Sequence, residues 1–209
     1  IHRYSRLLGV EVLSYVIMDS HCFLLVTLPP REKWLKKIAD PDLLLARARK
    51  LYQPPQYQTM AQQLSQAKNP NEVLERYQRE FCDLSIFVKM IKESVSRAQN
   101  RQNNTLGSLW MARYRSLQLT DREERIDCHV RINRWPVTRK LVSPEELAAY
   151  PWSSYRELMN SSKRALKATC RALHIPVSQW KKRYPADPKK GRKRTARNWF
   201  IAQVEEAPS

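Results

Sequence analysis

Two apolar runs separated by only two polar residues constrain this chain most. Val10–Met18 (VEVLSYVIM) and His21–Leu28 (HCFLLVTL) are rich in β-branched and aromatic residues, Asp19-Ser20 divides them, and Pro29-Pro30 closes the second run. Strand-forming runs joined by so short a turn pair as an antiparallel hairpin. A hairpin cannot bury itself alone, so the helical patterns around it must supply the other layer, which points to an α+β domain.

Those patterns follow in order. Residues 31–80 are polar and charged, with Leu35, Ile38, Leu43, Leu44 and Leu45 at roughly helical spacing, and Pro54-Pro55 and Asn69-Pro70 interrupt the run. Two or three short inserted helices are expected there. Leu84–Gln99 is a clearer amphipathic helix, since Leu84, Phe87, Val88, Ile91 and Val95 fall on one face. Ser108–Leu119 (SLWMARYRSLQL) reads as a third strand. Thr120 with Glu123 reads as a capping box for a helix that Pro136 should end. Residues 143–158 form a helical or irregular return around Tyr150, Trp152 and Tyr155, and 162–173 read as another helix, with a second short one following Pro176.

Charge narrows the function. Lys and Arg number 38 against 20 Asp and Glu, a formal net charge of +18. Such an excess opposes the compact state by self-repulsion, and a polyanionic partner accounts for its retention. No apolar run approaches the length of a membrane span, no signal peptide is recognisable and no long basic amphipathic helix favours a membrane surface. Cys22, Cys82, Cys128 and Cys170 are too scattered for a zinc ribbon or a disulfide framework. With three glycines and no phosphate-loop pattern, nucleotide-binding folds are disfavoured.

Five stretches then carry a resemblance. YVIMDSHCFLLV (15–26), LSIFVKMIKESVSRAQNR (84–101), LGSLWMARYRSLQL (106–119), CHVRIN followed by PVTRKLV (128–142) and PWSSYREL (151–158) occur in the order of the corresponding segments of the REP-associated tyrosine transposases of the HUH superfamily. The chain resembles that family over about residues 4–158. The resemblance implies a ferredoxin-like antiparallel sheet with packed helices, preceded in the family by one more strand and helix, of which Ile1–Leu8 is similar to the end. It divides the chain into a transposase-like domain, 1–158, with a helical insert at 31–80, and a basic tail, 159–209, expected to be helical and extended.

The family's chemistry uses two histidines on one strand to hold a divalent ion, Mg2+ or Mn2+, which polarises a DNA phosphate. A helix tyrosine attacks the phosphorus, and a polar residue one turn later completes the metal site. His21 matches the first histidine and Asn133 the polar ligand. Phe23 stands at the second histidine and His129 at the nucleophile. The resemblance therefore implies a domain that binds nucleic acid without cutting it and needs no cofactor. Two alternatives stay open: a rearranged metal site of His21, His129 and Asn133, with His129 as ligand or nucleophile, or a different tyrosine, Tyr114 or Tyr155, in the catalytic role.

Candidate phosphate contacts are Lys89, Lys92 and Arg97 on one helix, Arg113 and Arg115 on one face of the expected third strand, and Arg131 and Arg134 beside Asn133. The tail adds Lys181, Lys182, Arg183, Lys189, Lys190, Arg192, Lys193, Arg194 and Arg197, with Trp180, Tyr184 and Trp199 interleaved as stacking platforms for unpaired bases. Residues 163–183 faintly resemble a helix-turn-helix with its turn near His174. Hairpin or single-stranded DNA is the expected partner, in a homodimer or a larger nucleoprotein assembly, with a cytoplasmic, nucleoid-associated location. An RNA-binding component of a ribonucleoprotein assembly and an active DNA transposase or nickase are the alternatives.

Overall fold

The computed structural model describes residues 1–50, 52–180 and 196–205. The chain divides into two compact units, Ile1–Glu11 with Thr27–Ser116, and Val12–Val26 with Leu117–Ser209. Helix and strand are mixed, with helix predominating and a two-stranded antiparallel sheet.

The first unit is helical. It holds α1 (His2–Leu8), α2 (Arg31–Leu35), a 3-10 turn at Lys36–Ile38, α3 (Pro41–Arg49), α4 (Pro54–Gln66), α5 (Pro70–Gln78) and α6 (Leu84–Asn103). Its prolines begin helices: α3, α4 and α5 each carry proline in the first turn. Proline lacks a donor that a first turn would leave unpaired anyway, so it starts these helices where the sequence alone suggested interruption. The insert accordingly contains more helices than expected. Asp40 and Asn69 cap α3 and α5 through the backbone N–H groups of Leu43 and Asn71.

Trp34 anchors this unit. Its ring lies 4.9 Å from that of Phe81, and the Arg47 guanidinium sits 4.5 Å above it. Arg47 also donates to the carbonyls of Arg6 and Leu7, tying α3 to the end of α1. Gly9 closes α1 at φ 69°, and a Cβ there would fall 2.4 Å from the Trp34 ring, so this position requires glycine.

The second unit contains the hairpin. β1 (Glu11–Ile17) is covered along its centre, whereas in β2 (Cys22–Thr27) only Leu25 is fully buried. Met18 N donates to His21 O at 2.8 Å, closing the turn expected at Asp19-Ser20. The outer edge of β1 is met by Trp152–Ser153: Ile17 N donates to Trp152 O, and Val16 bridges Ser153. Around the hairpin lie α7 (Arg122–Thr138), a 3-10 turn at Leu147–Ala149, α8 (Ser154–Met159), α9 (Lys163–Ala172), a 3-10 turn at Val177–Gln179 and α10 (Ala196–Glu205).

Three sequence expectations change here. Residues 108–119 form no strand: the chain bends at Met111 and Ala112 and continues without regular structure, leaving Leu106, Met111 and Leu117 in solvent. α7 is capped by Asp121, which accepts from the N–H groups of Glu123 and Glu124, and not by Thr120. Pro136 lies inside α7, in its last turn, where it forfeits one helix bond while its ring is buried.

Candidate nucleic-acid interface

His21 sits at the hairpin turn, exposed, with Nδ1 2.7 Å from Ser20 Oγ. Its ring stacks parallel to that of Phe23, centroids 6.1 Å apart, as expected for strand neighbours two residues apart. Phe23 in turn packs against Trp135 of α7 at 4.8 Å. The position the resemblance assigns to a second histidine is thus a hydrophobic contact between hairpin and helix.

His129 and Asn133 lie one turn apart on α7 and are buried, at 0% and 2% exposure. Asn133 is a structural pin. Its amide donates to His129 O at 2.7 Å, and its carbonyl accepts from Ser154 Oγ at 2.7 Å, while Ser154 Oγ accepts from Tyr15 N at 3.0 Å. One asparagine therefore links α7 to α8 and β1. The His129 ring stacks on Phe200 of α10 at 5.1 Å, and neither ring nitrogen has a hydrogen-bond partner among the described residues. Burial lowers its pKa to about 3, so the imidazole stays neutral.

These surroundings bear directly on the three-residue metal arrangement. His21 faces solvent, His129 is sealed under Phe200, and the amide of Asn133 is committed at both ends. Among the described residues no group of three or more His, Cys, Asp or Glu side chains is placed to hold a metal ion. The alternative tyrosines are also engaged. Tyr155 is buried and donates to Glu205 Oε1 at 2.5 Å, with burial and that carboxylate both raising its pKa. Tyr114 OH lies 2.8 Å from Ser85 Oγ. The thiols of Cys22 and Cys170 are pushed up to about 11 by burial, which keeps them protonated.

The basic residues differ in availability. On α6, Lys89 and Arg97 both lie near Glu93, at 3.9 and 3.5 Å. Lys92 donates to Ala112 O at 2.8 Å and sits 5.4 Å from the centre of the Trp110 ring, whose Nε1 donates back to Lys92 O. Lys92 therefore fastens the segment after α6 to that helix. Arg113 and Arg115 follow on irregular chain, exposed and without an ion pair among the described residues. In the second unit Arg131 pairs with Asp127 at 3.7 Å, and Arg134 is half-buried with Nε and Nη1 lacking acceptors among the described residues.

The tail contains one plain correction. Trp180 is 3% exposed and packs against Phe200 at 6.1 Å, so it belongs to the core and offers no face to a base. Arg197 is exposed on α10. Lys181, Lys182, Arg183, Tyr184, Lys189, Lys190, Arg192, Lys193 and Arg194 lie outside the described residues, as does the side chain of Trp199. Where a helix-turn-helix was expected, the described residues hold α9, a reversal at His174 with φ 54° and a three-residue 3-10 turn, and residues 181–183 lie outside the description.

Sequence reading passed over Arg122 and Arg125, whose three-residue spacing at a helix start was the available signal, and His174, valued only as a turn. The chain matches no known family, no curated protein and no solved structure.

Proposed function

We propose that this chain is a nucleic-acid-binding protein related to the REP-associated tyrosine transposases, with a ferredoxin-like domain that holds hairpin or single-stranded DNA without cutting it. The net charge of +18 carries the binding part of this reading. Arg113 and Arg115 are exposed and form no ion pair among the described residues, which supports them as phosphate contacts. The non-cleaving part of the reading is supported by residue chemistry and burial: Phe23 cannot ligate metal, and His129, aligned with the family's nucleophile, packs under Phe200. A larger antiparallel sheet is favoured by the outer edge of β2, which has no hydrogen-bond partner among the described residues and carries no charged or proline residue to protect it.

The test is fluorescence anisotropy with a labelled DNA hairpin bearing a single-stranded flank, its RNA counterpart and an unstructured strand, across a salt series. DNA should bind more tightly than RNA, with affinity falling steeply as salt rises. Failure to bind any of them at low salt overturns the proposal, and preference for RNA replaces DNA as the partner. Incubation with hairpin DNA and Mn2+ should leave no covalent adduct. An adduct on the native protein, matching that of the Phe23→His/His129→Tyr variant, would sink the non-cleaving reading.

A further inference from the structure

We propose that Arg122, Arg125 and His174 form a phosphate clamp where the start of α7 meets the end of α9. The inference rests on the nucleic-acid-binding reading and adds to it a contact site in the second unit.

Arg122 is the first residue of α7 and Arg125 lies three residues on, so both share one face of the helix. Arg122 Nη2 donates to Leu173 O at 3.4 Å, which brings the guanidinium to the C-cap of α9. The next residue, His174, reverses the chain at φ 54° and is exposed. An imidazole and two guanidiniums are thereby gathered at one corner. Their proximity also registers on His174, whose pKa is lowered, first by partial burial and then by the charges of Arg125 and Arg122.

One carboxylate, Asp121, lies within electrostatic reach of Arg125; its Oδ2 accepts from the N–H groups of Glu123 and Glu124 at the start of α7, which leaves two guanidiniums facing one carboxylate. Glu123 and Glu124 follow Arg122 by one and two positions, which turns them away from the face that Arg122 shares with Arg125. The Nε of Arg125 is buried and has no hydrogen-bond acceptor among the described residues. A phosphate fits because its oxygens can accept from several N–H groups at once.

The corner also continues into a ridge. The buried residues of α9 include Ala165, Ala168, Thr169, Cys170 and Ala172, while Lys163, Lys167 and Arg171 are exposed at successive four-residue steps. Over about 12 Å, the rise of eight helical residues, this ridge leads cations toward His174. A polymer of phosphates meets such a line better than a single small anion does.

The experiment measures binding of the labelled DNA hairpin to the full chain as a function of salt. Arg122→Gln/Lys167→Gln changes only exposed side chains, and Arg122→Gln/Arg125→Gln removes both clamp arginines. Each should flatten the slope of log affinity against log salt by about 2, close to one unit per lost phosphate contact. Arg122→Lys/Arg125→Lys should restore most of the slope. In parallel, His174 imidazole resonances should shift on adding DNA and stay in place with inorganic phosphate at the same phosphate concentration. Native binding with unchanged slopes in both glutamine variants overturns the clamp and leaves the general reading intact. No binding by the native protein removes both.

Discussion

α10 and the segment between α6 and α7 both carry large apolar side chains, and the molecule treats them in opposite ways. In α10, Phe200 and Val204 are fully buried, and Tyr155 reaches across to Glu205. Along residues 106–117, Leu106 is 99% exposed, Met111 has no cover and Leu117 is largely in solvent. The difference lies in what each needs from its neighbours. A helix satisfies its own backbone and requires cover on one face only. An extended segment must find a neighbouring strand for its hydrogen bonds as well as cover for its side chains. β-propensity without a partner therefore leaves apolar residues exposed, while a short helix with one good face is taken into a core.

The comparison is tested most severely by truncation. Phe200→Ala should cost about 3–5 kcal/mol in urea unfolding, because it empties a site shared with His129, Tyr155 and Trp180. An unaffected midpoint would mean that α10 is not part of the core.

Acid comes next. His129 has its pKa lowered to about 3 in the folded state, below its unfolded value near 6.5. Between those values the unfolded chain binds more protons, so the contribution is complete above about pH 6.5 and is lost as pH falls, by about 1.4 kcal/mol per pH unit. His129→Phe should remove that part of the slope. Identical pH profiles for the two proteins would show that the imidazole is not sealed.

Asn133→Ala should cost about 1–3 kcal/mol, since it removes two buried hydrogen bonds, to Ser154 Oγ and to His129 O. Tyr155→Phe, which removes a single hydrogen bond, should cost about 1 kcal/mol. The smallest effect belongs to the other side of the comparison. Met111→Ala should stay within about 0.5 kcal/mol of native stability, and amides in the 112–118 stretch should exchange with solvent far sooner than those of α10. Slow exchange there would reveal a strand partner and erase the contrast.

Much of the secondary structure was legible along the chain. The two runs around Asp19-Ser20 pair as a hairpin, and the apolar spacing from Leu84 gives α6. Both readings depend on patterns a few residues long, which local geometry interprets the same way in most contexts. The misreadings occurred where a local signal has two meanings. Pro54 and Pro70 can end one helix or begin another, and here they begin α4 and α5. Thr120 and Asp121 are both acceptable caps, and the carboxylate, reaching two N–H groups, takes the position.

The candidate site was harder to read, because alignment with a resemblance identifies positions and not surroundings. His21 is available to solvent, but His129 disappears beneath Phe200, a residue 71 positions away in the sequence. Trp180 likewise looked like a stacking face beside lysines and became part of the core.

By itself, then, the sequence determined the cationic excess, the hairpin and the amphipathic helices, because charge is additive and strand or helix periodicity is local. The tertiary structure alone decided which histidine is sealed, which tryptophan is buried and which arginines converge. Burial and convergence depend on elements distant in the chain meeting in space, and no local pattern encodes that meeting.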